Sequence, residues 1–257
     1  MFEIESGKRK RNFSVCIFGP PGIGKTLMAS SCSDKTLILD CEDGSSFLDV
    51  NRVRIESFES LLASLAWASK QDFDTIVLDS MTAVERLTHK HVLASNPKWT
   101  TLADGGYGKG YEEFRNNVQR IFAGIEHVKK TKNVIVLAHS KIKTVTEPGT
   151  DSFDRMEFDL EKNLIPIFVS QLDGCFYMRE LTRVSKDEQG KNKPISSGAR
   201  ELVLNGRVGS LGKNRFDHMP ATVEFAKTTK DTKTIYTQFW KDLQNVQNIP
   251  SSGNSAT

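Results

Sequence analysis

The stretch FSVCIFGPPGIGKT, residues 13–26, constrains this 257-residue chain more than any other. An apolar run leads into Gly19, Pro20, Pro21, Gly22, Ile23, Gly24, Lys25, Thr26 and Leu27, which satisfies G-x-x-x-x-G-K-[ST] without a mismatch. A buried strand therefore feeds a phosphate loop. Glycines at 19, 22 and 24 allow turn conformations closed to residues with a Cβ, so that successive N–H groups point inward at phosphate oxygens. Lys25 is expected to reach the β- and γ-phosphates, Thr26 to place its hydroxyl on Mg²⁺, and a helix opening at Gly24 to add its positive end. A Gly- and Pro-rich turn without a ligand has a similar composition. The strand before it, LMASSC after it and the full set of fixed positions favour a nucleotide site.

At 38% apolar and 26% charged residues the chain reads as an ordinary globular protein with a sizeable core. No run approaches the ~20 apolar residues of a spanning helix, and the charged start MFEIESGKRKRNF is unlike a secretory leader, so a cytoplasmic protein without membrane contact is expected. Cys16, Cys32, Cys41 and Cys175 form no C-x-x-C pair and are expected to be free thiols. The net charge of +3 says little about nucleic acid, but Lys and Arg cluster at 8–11, 129–132 and 186–193.

Strand and helix patterns alternate in the first half, which predicts an α/β fold with a mostly parallel central sheet flanked by helices. Strands are expected at 36–40, 52–55, 74–80 and 133–140. Helices are expected after Ser57, from about 83 to 94, and across Phe114, Val118, Ile121, Phe122, Ile125 and Val128. Segments 96–110 and 141–160 read as loops, the second long enough to imply a function. A short helix at LIPIFVSQLD and a strand at GCFYMREL follow. Antiparallel strand additions are expected in the C-terminal part, at 200–204, 221–226 and 234–240. The division is a basic arm over 1–12, an ATPase domain over 13–243 and a disordered tail over 244–257.

Asp79 ends the apolar run TIVLD, where a carboxylate beside the phosphate loop can hold the shell of Mg²⁺; the plainer alternative is a cap for the next helix. In LDCEDG, Asp40, Glu42 and Asp43 compete for the role of orienting or deprotonating the attacking water, with Glu42 just past the strand tip. His139 ends another core strand, where a polar residue can sense the γ-phosphate; a purely structural histidine is the alternative.

In order, GPPGIGKT, LILDCEDG, TIVLDS and VIVLAHS resemble the RecA core ATPase. They are most similar to the phage-encoded RecA-like ATP-binding proteins of the Sak type, which act in recombination or single-strand annealing. The resemblance implies a P-loop NTPase with a RecA-like core that uses ATP and Mg²⁺. It implies that Glu42 is the catalytic glutamate and that His139 stands where RecA has a glutamine. Lys213 and Arg215 in LGKNRF resemble the basic pair that RecA sends across a subunit interface, which implies a homo-oligomer, filament or ring, with the ATP site between subunits. A solvated basic turn is the alternative for that pair.

In RecA-like folds single-stranded DNA is gripped by the two loops that correspond to 96–110 and 141–160. The first carries Lys98, Trp99, Tyr107 and Lys109, with Tyr111 just beyond it; the second carries Lys141, Lys143 and Arg155. Cations interleaved with aromatic rings suit phosphate contact and base stacking; packing of Trp99 and Tyr111 on the core is the alternative. The expected function is ATP-dependent single-stranded-DNA binding in phage recombination or annealing, with a single-strand-binding protein as a further partner. A nucleotide-switched adaptor or loader for a replication protein is the main alternative, and a metabolite kinase the next.

Overall fold

The computed structural model describes residues 11–186, 192–217, 219–226 and 231–247. The phosphate loop grows out of β1 (Ser14–Gly19), at the middle of a ten-stranded sheet. To one side of β1 lie β5 (Asn133–Val145), β4 (Thr75–Asp79), β2 (Thr36–Asp40) and β3 (Asn51–Arg54); to the other lie β7 (Gly174–Lys186), β8 (Asn192–Val203) and β10 (Thr222–Phe225). Strands β1 to β5 and β7 run parallel where they pair in this core, whereas β8 and β10 are antiparallel additions. The fold is the α/β class that the alternating pattern predicts.

The parallel strands read as unbroken apolar runs because both of their faces are covered. Cys16 and Phe18 of β1 face a core made with α2 (Phe58–Ala68), α3 (Met81–Ser95), α4 (Lys109–Lys129) and α5 (Leu164–Gln171). Val15 and Ile17 face the opposite way, against α1 (Lys25–Ser30) and α6 (Thr232–Gln247). Ser57 starts α2 with a capping box, exchanging hydrogen bonds with Ser60. All four cysteines are free, as expected.

Three expectations are corrected. Residues 234–240 form helix, not strand: Tyr236, Phe239, Trp240 and Leu243 recur at helical spacing, all buried, and Trp240 donates its indole N–H to the Met28 carbonyl at 2.8 Å. Burial of that stripe overrides the β propensity of its aromatic residues. The segment 141–160 is no shapeless loop, because β5 runs on to Val145 and pairs antiparallel with β6 (Phe153–Phe158). Pro148 and Gly149, the latter at φ 84°, make the turn between the two strands. Finally, α6 carries order to Gln247, past the boundary at 243. Most of the expected tail and of the basic arm lies outside the described residues.

The basic cluster at 129–132 is structural. Lys129 sits 2.9 Å from the buried Asp173, which also holds Arg11 at 2.7 Å, and Lys132 is buried with its ammonium on the carbonyls of Gln71 and Phe73. Among the described residues no helix is long and apolar enough to cross a membrane.

Candidate functional site

In-register parallel pairing brings the strand tips to one end of the sheet. Gly19 stands opposite His139, and Asp40 opposite Asp79. Gly22 and Gly24 take φ of 74° and 103°, conformations that L side chains rarely adopt, and a Cβ on Gly19 would lie 2.2 Å from the Met178 carbonyl oxygen. These positions demand glycine.

Lys25 is buried and folds back on the loop, donating to the carbonyls of Gly19 at 3.0 Å and Pro20 at 2.9 Å. Burial lowers its pKa, against the opposing pull of Asp79 and Glu42. Thr26 donates its hydroxyl to Asp79 Oδ2 at 2.7 Å. Burial first, then the nearby charges of Glu42 and Asp40, pushes the Asp79 carboxyl up to about 6 despite that hydrogen bond. The cap of α3 is Ser80, whose Oγ accepts from the Ala83 N–H, so Asp79 is not spent on capping.

The three acidic candidates separate by what they touch. Asp40 is buried and consumed locally, accepting from Ser45 Oγ and N and from the Glu42 N–H. Asp43, at φ 60°, faces solvent and pairs with Arg54. Glu42 instead turns into the site, accepting from Ser80 Oγ at 2.9 Å and Arg86 at 2.9 Å, with His139 Nε2 at 3.0 Å. Burial raises its pKa, but the hydrogen bonds from His139 and Ser80 and the Arg86 guanidinium outweigh it and leave the carboxyl below its ordinary value. The backbone N–H of His139 donates to Thr82 Oγ1 at 3.0 Å, while its ring Nδ1 is buried without a hydrogen-bond partner.

Sequence reasoning missed Arg86 and Ser80. The legible signal was the spacing of Thr82 and Arg86, four apart on α3 just behind the acid, which puts one on the His139 backbone and the other on Glu42.

Lys213 and Arg215 lie elsewhere. The short strand β9 (Lys213–Asn214) pairs with Cys175 and Gly174 at the start of β7, the end of the sheet remote from the phosphate loop of the same chain. Lys213 donates to the carbonyls of Val169 and Ser170 at the end of α5, and Arg215 stands 3.6 Å from Asp173.

The remaining basic and aromatic candidates are divided. Lys141 pairs with Asp159, and Lys143 and Arg155 both pair with the buried Glu157 on the β5–β6 hairpin. Trp99 is half-buried against the core and would touch a Cβ on Gly105. Lys98 and Lys109 are exposed, Tyr111 is 41% exposed, and Tyr107 is fully exposed at a turn where Gly106, Tyr107 and Gly108 all have positive φ.

Loop glycines in left-handed conformation, a buried lysine and a Thr–Asp pair at a strand tip fit a triphosphate and a divalent cation. Fold and site together define a P-loop nucleotide-binding domain. Residues 11–216 match the family model described as an AAA domain, and the chain belongs to that family of P-loop NTPases. A comparison with characterised proteins finds no match.

Proposed function

We propose that the protein is a Mg²⁺-dependent ATPase in which Glu42 activates the attacking water. Bound Mg-ATP supplies the electrophilic phosphorus and the metal charge that relieves its oxygens. Lys25 would leave the loop carbonyls to meet the phosphates, and Thr26 and Asp79 would hold the metal shell. Glu42 takes the proton of the water, with Ser80, Arg86 and His139 fixing its carboxylate. His139, joined to Glu42 by its ring and to α3 through Thr82, reports the γ-phosphate to the helix that leads into residues 96–110. The observation that carries this reading is the convergence of Glu42 and His139 beside the Thr26–Asp79 pair.

The finer proposal is that ATP turnover is coupled to single-stranded DNA in phage recombination or strand annealing, by a homo-oligomer in filament or ring form. Lys213 and Arg215 would then serve the nucleotide of a neighbouring copy, the only route open to groups so far from their own loop, and a single-strand-binding protein would be a further partner. Lys98, Tyr107 and Lys109 support the DNA contact by their exposure. A specific observation favours the adaptor alternative: the cations of the second predicted DNA segment are already paired with Asp159 and Glu157.

The test is hydrolysis by Glu42→Gln and Lys25→Ala, together with anisotropy of a labelled oligonucleotide with and without ATP. Glu42→Gln is expected to bind ATP normally and to lose about a hundredfold or more in rate. A wild-type rate in that variant ends the catalytic assignment. Salt-sensitive oligonucleotide binding supports the DNA reading, and its absence at low salt supports the adaptor.

A further inference from the structure

The order of strands gives a bound nucleotide a direction. Asp79, Glu42 and His139 come from β4, the tip of β2 and β5, all on one side of β1. A triphosphate whose terminal phosphate faces them must extend its nucleoside over the other side, towards β7 and β8. A cleft of about 360 Å³ lies there, within the usual size of small-molecule sites, with residues 20–23 of the phosphate loop on one wall and Glu180, Gly198 and Arg200 of the β7–β8 hairpin on the other.

Arg200 is placed unusually for its register. It stands directly across the ladder from Glu180, where opposite charges ordinarily pair. Glu180 instead accepts from the Gly198 N–H at 3.1 Å and from the Ser196 hydroxyl, beside an irregularity in the strand pairing. The Arg200 guanidinium turns away to lie against the phosphate loop, where a Cβ on Gly24 would come within 2.7 Å of Nη1. Its one hydrogen bond among the described residues goes to the hydroxyl of the buried Tyr236 at 3.3 Å, and it has no carboxylate partner there. A half-buried cation is thus steered onto the loop by α6, outside ion-pair distance of any described carboxylate, at the mouth of a cleft that Glu180 also lines.

We infer that the β7–β8 hairpin forms the nucleoside end of the site and that Arg200 is a nucleotide-contacting residue supplied in cis, gripping the base and ribose of a nucleoside triphosphate. Its flat cationic group suits the face of a base. The inference rests on the nucleotide reading above and goes beyond it by naming the half of the ligand that this hairpin takes.

Calorimetric titration of the full chain with Mg-ATP and with magnesium tripolyphosphate, which lacks the nucleoside, separates the possibilities. In Arg200→Ala the Kd for ATP is expected to rise about tenfold, with that for tripolyphosphate nearly unchanged. Arg200→Lys, which keeps the charge and loses the plane, is expected to recover only part of the loss. It also serves as the variant of record should the alanine chain lose its cooperative melt. Equal weakening of both ligands would assign Arg200 to the phosphates and overturn the inference, as would unchanged ATP binding. Wild-type protein that binds neither ligand overturns the nucleotide reading itself, whereas loss of both in Lys25→Ala with retention in the wild type upholds it.

Discussion

Removing the Asp79 charge should stabilise the ligand-free protein while destroying its use of metal. The carboxyl is 5% exposed, and burial together with its acidic neighbours raises its pKa from 3.8 to about 6. A folded-state pKa above the unfolded value means that the folded chain binds the extra proton, so this group lowers stability as pH rises from about 4 to above 6. At ~1.36 kcal/mol per pH unit the cost reaches up to about 3 kcal/mol at pH 7.5, and about half of that at pH 5. Asp79→Asn keeps an acceptor for Thr26 and does not titrate. In urea unfolding with chelator present, the variant should exceed the wild type by up to about 3 kcal/mol at pH 7.5, with the gap narrowing as pH falls towards 5. Mg-ATP at a thousand times Kd should reverse the order, because it adds about 4.1 kcal/mol to the wild type alone. A variant less stable than the wild type at pH 7.5 without metal, or a gap that does not change with pH, would refute the reasoning.

Three further outcomes are expected. Arg86→Ala should leave ATP affinity intact and reduce kcat about tenfold by loosening Glu42; because the guanidinium helps hold that carboxyl below its ordinary pKa, the acidic limb of the pH–rate profile should move to higher pH, with partial rescue in Arg86→Lys. Asp173→Ala strips Lys129 and Arg11 of their carboxylate and the buried Ser14 N–H of its acceptor, and should cost about 3–5 kcal/mol in denaturant unfolding. The lowered pKa of Asp173 means that its contribution is present above the ordinary carboxylate range and is lost on acidification. Trp240→Ala should cost about 3–5 kcal/mol by leaving a cavity between α6 and the sheet, read as a lower melting temperature with coincident optical probes.

Most of the parallel half was legible because its signals are local. Apolar runs ending in Gly19, Asp79 and His139 mark strands buried on both faces, and the Ser57 cap marks a helix start. The C-terminal half was harder to read. In TIYTQFW a strand alternation and a helical stripe overlap, and the choice falls to what the segment packs on, which is the far side of the sheet and α1. The hairpin at 141–160 was masked by its charges, since Lys143, Arg155 and Glu157 satisfy one another across the two strands.

The sequence by itself determined that a glycine-lined loop, a buried lysine and strand-ending acids occur in one domain, because those residue types and spacings follow from phosphate and metal chemistry. Only the tertiary structure decided which acid enters the site. Asp40, Glu42 and Asp43 are within four residues of one another, and it is the neighbours arriving from β4, α3 and β5 that draw Glu42 inward. The same holds for Arg200, which comes to rest on Gly24 through strand register and the docking of α6, contacts between residues far apart in the chain that no local pattern encodes.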